Sequence, residues 1–176
     1  MKFTDGYWML RKGVQAFYPA QAYDVRTARD SLTVYAPARR VDHRGDTLNA
    51  AMLTVEFSSP MPDVIRVRLT HWAGQQPRPP HLDLLAQSAP AVSVRDEQEA
   101  ATLASGRLSV RVARGNTWRV EFWGDDGVAT SHVITSSPPR GMGMIEVEGQ
   151  GHYMHEQLAL GVGECVYGLG ERFTAL

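Results

Sequence analysis

Leu53-Thr54-Val55-Glu56-Phe57, the turn formers Ser58-Ser59-Pro60, and then Ile65-Arg66-Val67-Arg68-Leu69-Thr70 alternate apolar and polar side chains one for one. Successive side chains of an extended backbone point to opposite sides, so a period of two gives each run one dry and one wet face. The same period returns where Leu108, Val110 and Val112 face away from Arg107, Ser109 and Arg111, and where Val120 and Phe122 alternate with Arg119 and Glu121. These four runs are predicted strands.

Between them lie residues that supply a positive or fixed φ, at Ala113-Arg114-Gly115-Asn116 and Gly124-Asp125-Asp126-Gly127. The second reads as a hairpin turn that pairs Trp118 to Trp123 with Val128 to Ile134. Another hairpin runs from Ala101 to Ala104, across Ser105-Gly106, into Leu108 to Val112. Pairing between neighbours in sequence implies antiparallel sheets. No stretch keeps apolar residues at helical spacing for three turns with caps at both ends. Asp96-Glu97-Gln98-Glu99-Ala100-Ala101 comes nearest, and reads as one helical turn or a charged loop. The proline-rich passages Gln75 to Pro80 and Ser136 to Arg140 read as irregular crossings between sheets, where a missing N–H does no harm. Many short strands and few helices predict an all-β chain, an antiparallel β-sandwich.

A chain of 176 residues, 43% hydrophobic, can bury one sizeable core. Its 18 Lys and Arg against 19 Asp and Glu are scattered singly, which argues against a nucleic-acid or anionic-membrane surface. No apolar run approaches the roughly 18 residues of a spanning helix. The opening Met1-Lys2-Phe3-Thr4-Asp5-Gly6 turns polar too early for a signal-peptide core, so a cytoplasmic protein is expected. Cys165 is the single cysteine, which leaves no internal disulfide and no Cys-based zinc cage. No metal site and no cofactor are expected.

The densest unusual motif is Leu160-Gly161-Val162-Gly163-Glu164-Cys165-Val166-Tyr167-Gly168-Leu169-Gly170-Glu171-Arg172-Phe173. A dinucleotide-binding loop would need G-x-G-x-x-G between a strand and a helix, and neither glycine pair has the third glycine. A strand rich in tight turns is the better reading. Glu156, Glu164 and Glu171 are the carboxylates to weigh as an acid and nucleophile pair, which glycoside hydrolysis requires at about 5 to 10 Å. Most glutamates of a soluble domain are simply solvated. His152 and His155 would share a metal through i, i+3 spacing only on a helix, and Gly149 and Gly151 argue against one there, which favours a surface or loop reading. No serine sits in a G-x-S-x-G elbow, and Cys165 reads as a small buried packing residue. Trp8, Tyr18, Tyr23, Trp72, Trp118, Trp123 and Tyr153 are expected in the core rather than on a sugar-stacking face. No catalytic residue is assigned.

Several segments together resemble the start of a bacterial glycoside hydrolase of family 31, of the α-xylosidase type. Met1-Lys2-Phe3-Thr4-Asp5-Gly6-Tyr7-Trp8 resembles that family's M-K-x-x-D-G-x-W opening, and Ile65 to Gly74 resembles its V-R-[IV]-x-H-[FW]-x-G strand. Leu158 to Glu164, continued by Val166 to Leu176, is similar to L-x-L-G-V-G-E-x-V-Y-G-L-G-E-R-F-T-A-L, with Cys165 where relatives carry Thr or Lys. The resemblance implies a galactose-mutarotase-like β-sandwich over 1–176, incomplete at its C-terminal end, followed in full-length members by a (β/α)8 barrel. It implies that two barrel aspartates carry out retaining hydrolysis of α-linked sugars through a covalent intermediate, so that this segment alone is inactive. It implies that the barrel of the same chain is the partner, with Tyr167, Gly168, Gly170, Glu171, Arg172 and Phe173 near the junction. The parent's substrate would be an α-linked oligosaccharide. A sandwich short of its last strands would show an unpaired edge and an apolar patch, both of which favour association between copies. The competing readings are a self-contained carbohydrate-binding module and an independent mutarotase-like epimerase. Kinship of fold does not decide between them.

Overall fold

The computed structural model describes residues 3–6, 9–71, 90–125, 127 and 131–167. Among these are fourteen strands, one 3-10 turn and no α-helix. The strands are β1 (Thr4–Asp5), β2 (Met9–Leu10), β3 (Val14–Phe17), β4 (Asp24–Thr27), β5 (Ser31–Pro37), β6 (Met52–Ser58) and β7 (Arg66–Thr70). They continue with β8 (Val92–Asp96), β9 (Ala100–Ser105), β10 (Leu108–Ala113), β11 (Val120–Asp125), β12 (Ser131–Ser137), β13 (Gly143–Val147) and β14 (Gly151–His155). Two sheets dominate: a four-stranded sheet ordered β4-β5-β6-β7 and a five-stranded sheet ordered β12-β11-β10-β9-β8. A three-stranded sheet β14-β13-β3 and the small β1-β2 pair complete the set. Every pairing is antiparallel.

The core lies between the two large sheets. Leu32, Val34 and Ala36 of β5 and Val55 and Phe57 of β6 pack in one cluster with Ala101 and Leu103 of β9, Val110 and Val112 of β10, and Trp118, Val120 and Met142. Register explains the clustering, because Leu32 lies opposite Phe57 and Val34 opposite Val55, while Val110 lies opposite Leu103 and Val112 opposite both Ala101 and Val120. Each pair puts two apolar side chains on the inner face of its sheet. Ile65, Val67, Leu69 and Phe122 pack against the cluster and are only partly buried.

The antiparallel sandwich follows the alternation, and both hairpins form. β9 and β10 are joined by Gly106-Arg107, one residue later than the Ser105-Gly106 turn read from sequence, with Leu108 opposite Ser105. β11 and β12 pair from Asp125 opposite Ser131 to Val120 opposite Ser137, so the loop is longer than four residues and β12 runs past Ile134. A bulge, with Phe122 opposite Thr135 and Trp123 opposite Val133, leaves Ile134 as the extra residue. Residues 97–99 form a charged loop between β8 and β9, closed by Glu97 N–H to the Ala100 carbonyl at 3.0 Å. The passage after Ser137 does cross between sheets, through a turn closed by Gly141 N–H to the Pro138 carbonyl at 2.7 Å. The Gln75 to Pro80 passage lies outside the described residues.

One face differs from the simple alternation. Glu121, expected on the wet side of β11, is 8% exposed. Its carboxylate accepts hydrogen bonds from the Arg119 guanidinium and from Trp123 Nε1, so two long neighbours on the same face cover it. Alternation shows which side a residue takes, but not what its neighbours lay over it.

Candidate functional site

β7 ends the four-stranded sheet and β12 ends the five-stranded one. Between them opens a recess of about 770 Å³, lined by Ile65, Val67, Leu108, Phe122, Ile134 and Leu158, with charged groups at its wall. Its shape follows from local packing. Gly124 leaves bare backbone over which Ile134 lies, since a Cβ there would stand 2.6 Å from Ile134 Cδ1. Asp63 adopts a positive φ of 62° and accepts the Arg107 N–H at 2.5 Å, which ties the turn before β7 to the β9–β10 turn. The Ser59 hydroxyl donates to the Met61 carbonyl at 2.7 Å and is hydrogen-bonded to the Ser105 hydroxyl at 2.8 Å, which reinforces that link.

Three carboxylates reach this recess: Asp63, Asp125 and Glu156. Two already serve turns, Asp63 as above and Asp125 by accepting Gly127 N–H at 2.8 Å. Glu156 keeps part of its surface in water, yet partial burial of its carboxyl raises it above the ordinary glutamate value, against an opposing pull from the Ser137 hydroxyl. An apolar recess with two of three carboxylates engaged in turns is better suited to packing than to acid–base chemistry.

A smaller recess of about 430 Å³ lies beside the three-stranded sheet, where Tyr18, Arg140, His155 and Gln157 meet. His155 packs edge-on to Tyr18, with ring centroids 5.7 Å apart. Burial lowers the His155 pKa, and its Nε2 has no hydrogen-bond partner. Burial raises the Tyr18 hydroxyl, while Arg140 pulls it down.

The residues singled out in the sequence do not converge. His152 and His155 lie on β14, not in a loop, and an odd spacing on a strand sends them to opposite faces. His152 is exposed and sits 3.7 Å from Glu146, whereas His155 is half-buried. Among the described residues no cluster of three or more metal-binding side chains occurs. The stretch 156–167 forms no strand, contrary to the sequence reading; it turns at Gly161, whose N–H donates to Glu164 Oε2 at 2.5 Å. Cys165 is exposed rather than buried, because this stretch carries it away from the core. Tyr167 is 86% exposed, and Gly168, Gly170, Glu171, Arg172 and Phe173 lie outside the described residues. Of the seven aromatic residues, Trp118 is buried, Tyr18, Trp123 and Tyr153 are half-buried, Tyr23 is exposed, and Trp8 and Trp72 lie outside the described residues. The recess itself was not anticipated. Its only sequence signal is that Ile65, Val67 and Phe122 belong to alternating runs, which marks an inner face but not a gap beside it.

Comparison with known proteins places this architecture. The family model described as the glycosyl hydrolase 31 N-terminal galactose mutarotase-like domain matches residues 54–176. The α-xylosidase XylQ of Lactiplantibacillus pentosus is 33% identical over 99% of this chain, and an α-xylosidase of Emericella nidulans is 30% identical over 98%. The chain spans only 22% and 24% of those two relatives. Among solved structures, the cycloalternan-forming enzyme of Listeria monocytogenes, determined with a pentasaccharide substrate, superposes with a TM-score of 0.52 at 18% identity, over 78% of this chain and 11% of that one. The all-β antiparallel architecture, the matched domain over most of the chain and the similarity of this whole stretch to parts of two α-xylosidases agree: the chain belongs to glycoside hydrolase family 31, as its N-terminal galactose mutarotase-like domain.

Proposed function

We propose that this domain is the non-catalytic N-terminal β-sandwich of a retaining exo-α-glycosidase, an α-xylosidase or α-glucosidase, which supports the catalytic barrel of the same chain. The observation that carries this reading is similarity from end to end with two α-xylosidases of which the chain spans less than a quarter. The recess supports it as well, since its carboxylates are largely engaged in turns. The proposed substrate of the parent is an α-linked oligosaccharide handled on the barrel, in the cytoplasm. The segment from Tyr167 to Phe173 is proposed as the junction with that barrel; the high exposure of Tyr167 leaves it available for such a contact. A free-standing sugar-binding module finds less support, because among the described aromatic residues considered for stacking only Tyr23 is exposed.

The test compares purified 1–176 with a chain extended to the length of its relatives on p-nitrophenyl α-xyloside and α-glucoside. Turnover by the long chain alone is expected, and the faster substrate names the sugar. Turnover by 1–176 alone would move the chemistry into this domain and sink the proposal.

A further inference from the structure

Arg140 breaks a local rule. It stands third in the turn Pro138-Pro139-Arg140-Gly141, closed by Gly141 N–H to the Pro138 carbonyl at 2.7 Å, and its φ is 66°. Proline followed by a positive φ is the pattern of a type II turn, whose third position favours glycine or asparagine. An arginine held there carries backbone strain, and strain of this kind collects where a side chain has to be aimed. Arg140 is exposed where the recess of about 430 Å³ beside the three-stranded sheet adjoins another of about 330 Å³. Arg140 and Tyr18 line both, and no Asp or Glu lines either one. Among the described residues the guanidinium has no ion-pair partner and the Tyr18 hydroxyl makes no hydrogen bond. Tyr18 is set in place by bare backbone, since a Cβ at Gly143 of β13 would stand 2.8 Å from its Cδ1.

Two more polar groups at this place lack partners. His155 lines the larger recess with its Nε2 buried and unpaired. Trp118 lines the smaller one, is 3% exposed, and has a buried Nε1 without a hydrogen-bond partner. A buried polar group left unpaired costs more than a typical hydrogen bond contributes, so two of them around one cleft call for oxygens that the described residues do not supply.

We infer that the joined recesses bind a small sugar acid, with its carboxylate between the Arg140 guanidinium and the Tyr18 hydroxyl and its ring hydroxyls toward His155, Gln157 and Trp118. The planar guanidinium fits the two oxygens of a carboxylate. One cation without a second charge suits a monoanion; a phosphate monoester, close to dianionic at neutral pH, would keep a charge uncompensated. Gln157 in the larger recess and Asn116 and Thr117 in the smaller both donate and accept, as hydroxyl groups require. Burial lowers the His155 pKa and so keeps one ring nitrogen as an acceptor near neutral pH. The Tyr18 ring gives the sugar's C–H groups an apolar wall inside a recess, which is a different arrangement from the exposed platform of a free-standing module. None of this depends on the function proposed above.

Titration calorimetry on the chain extended to the length of its relatives, with glucuronate, glucuronamide and inorganic phosphate as probes, tests the inference. Glucuronate should bind saturably, and glucuronamide, the same ring without the charge, at least about tenfold more weakly. Glycine suits the turn better than arginine, so Arg140→Gly should keep or raise the thermal midpoint while glucuronate binding falls about tenfold or more. Tyr18→Phe keeps the ring, loses the hydroxyl and should weaken glucuronate severalfold. Absence of glucuronate binding, or glucuronamide equal to it, overturns the inference. Phosphate bound as tightly as glucuronate would make this a general oxyanion site and overturns the sugar acid. Glucuronate binding unchanged in Arg140→Gly assigns the acid to another part of the chain and overturns it equally. Turnover of p-nitrophenyl glycosides bears on the proposed function alone, so an inactive chain that binds glucuronate through Arg140 rejects only the function, and an active chain that does not bind it rejects only the site.

Discussion

His155 and Glu156 are neighbours in sequence, and burial pushes both toward their neutral forms, lowering the histidine and raising the glutamate. The consequences for stability have opposite signs. A histidine depressed from 6.5 is more easily protonated when unfolded, so its contribution is present above that value and lost as pH falls through the folded pKa. A glutamate raised from 4.5 holds its proton longer when folded, so its contribution is present below that value and lost as pH rises through the folded pKa. Two variants separate them in thermal unfolding followed across mildly acid to neutral pH. His155→Phe keeps an aromatic ring against Tyr18 and should flatten the loss on the acid side. Glu156→Gln should be more stable than the parent at neutral pH and equal to it in acid. Profiles that stay parallel to the parent for both variants would mean that burial is not what sets these groups.

At the scale of elements, the β9–β10 hairpin is the clearest case of a backbone requirement. Gly106 has a φ of +59° at the first position of a two-residue turn, a geometry that suits the right-handed twist of paired strands. A Cβ there would also press on the Asp63 carboxylate and stand 3.0 Å from the Asp63 backbone nitrogen. Gly106→Ala should therefore cost at least about 1–2 kcal/mol from the left-handed backbone alone, and more if Asp63 must give up the Arg107 N–H. Urea unfolding measures it; a midpoint unchanged from the parent would show that the turn relaxes freely. This hairpin, β6, β7, β10 and β11 were legible because strict alternation and turn residues report local geometry. The pairing of β3 with β13 was not, since the partners are distant: Met144 of β13 pairs with Phe17 of β3 across most of the chain, and β14, although it is the hairpin neighbour of β13, carries no strict alternation of its own. The same limit applies to the site. The inward residues of β7 and β11 could be read from period two, but the recess between them depends on sheet order, which alternation does not encode. The burial expected of Cys165 failed for a related reason, because an apolar run beside glycines does not become a strand without a sheet edge to join.

At the scale of the molecule, the two large sheets close over a full core where β5 and β6 meet β9 and β10, and diverge toward β7 and β12. The packed half accounts for a defined fold; the divergent half exposes Val133, Ile134 and Leu158 near an edge of β12 that is unpaired among the described residues. Apolar area and free backbone groups on one surface drive association when nothing else covers them. Purified 1–176 should therefore gain mass with concentration in light scattering; a single mass over the whole range would show that this surface stays solvated. Ile134→Lys places a charge on the open edge and should hold the short chain monomeric, because pairing would bury an ammonium without a partner. Association of that variant equal to the parent's would move the contact away from β12.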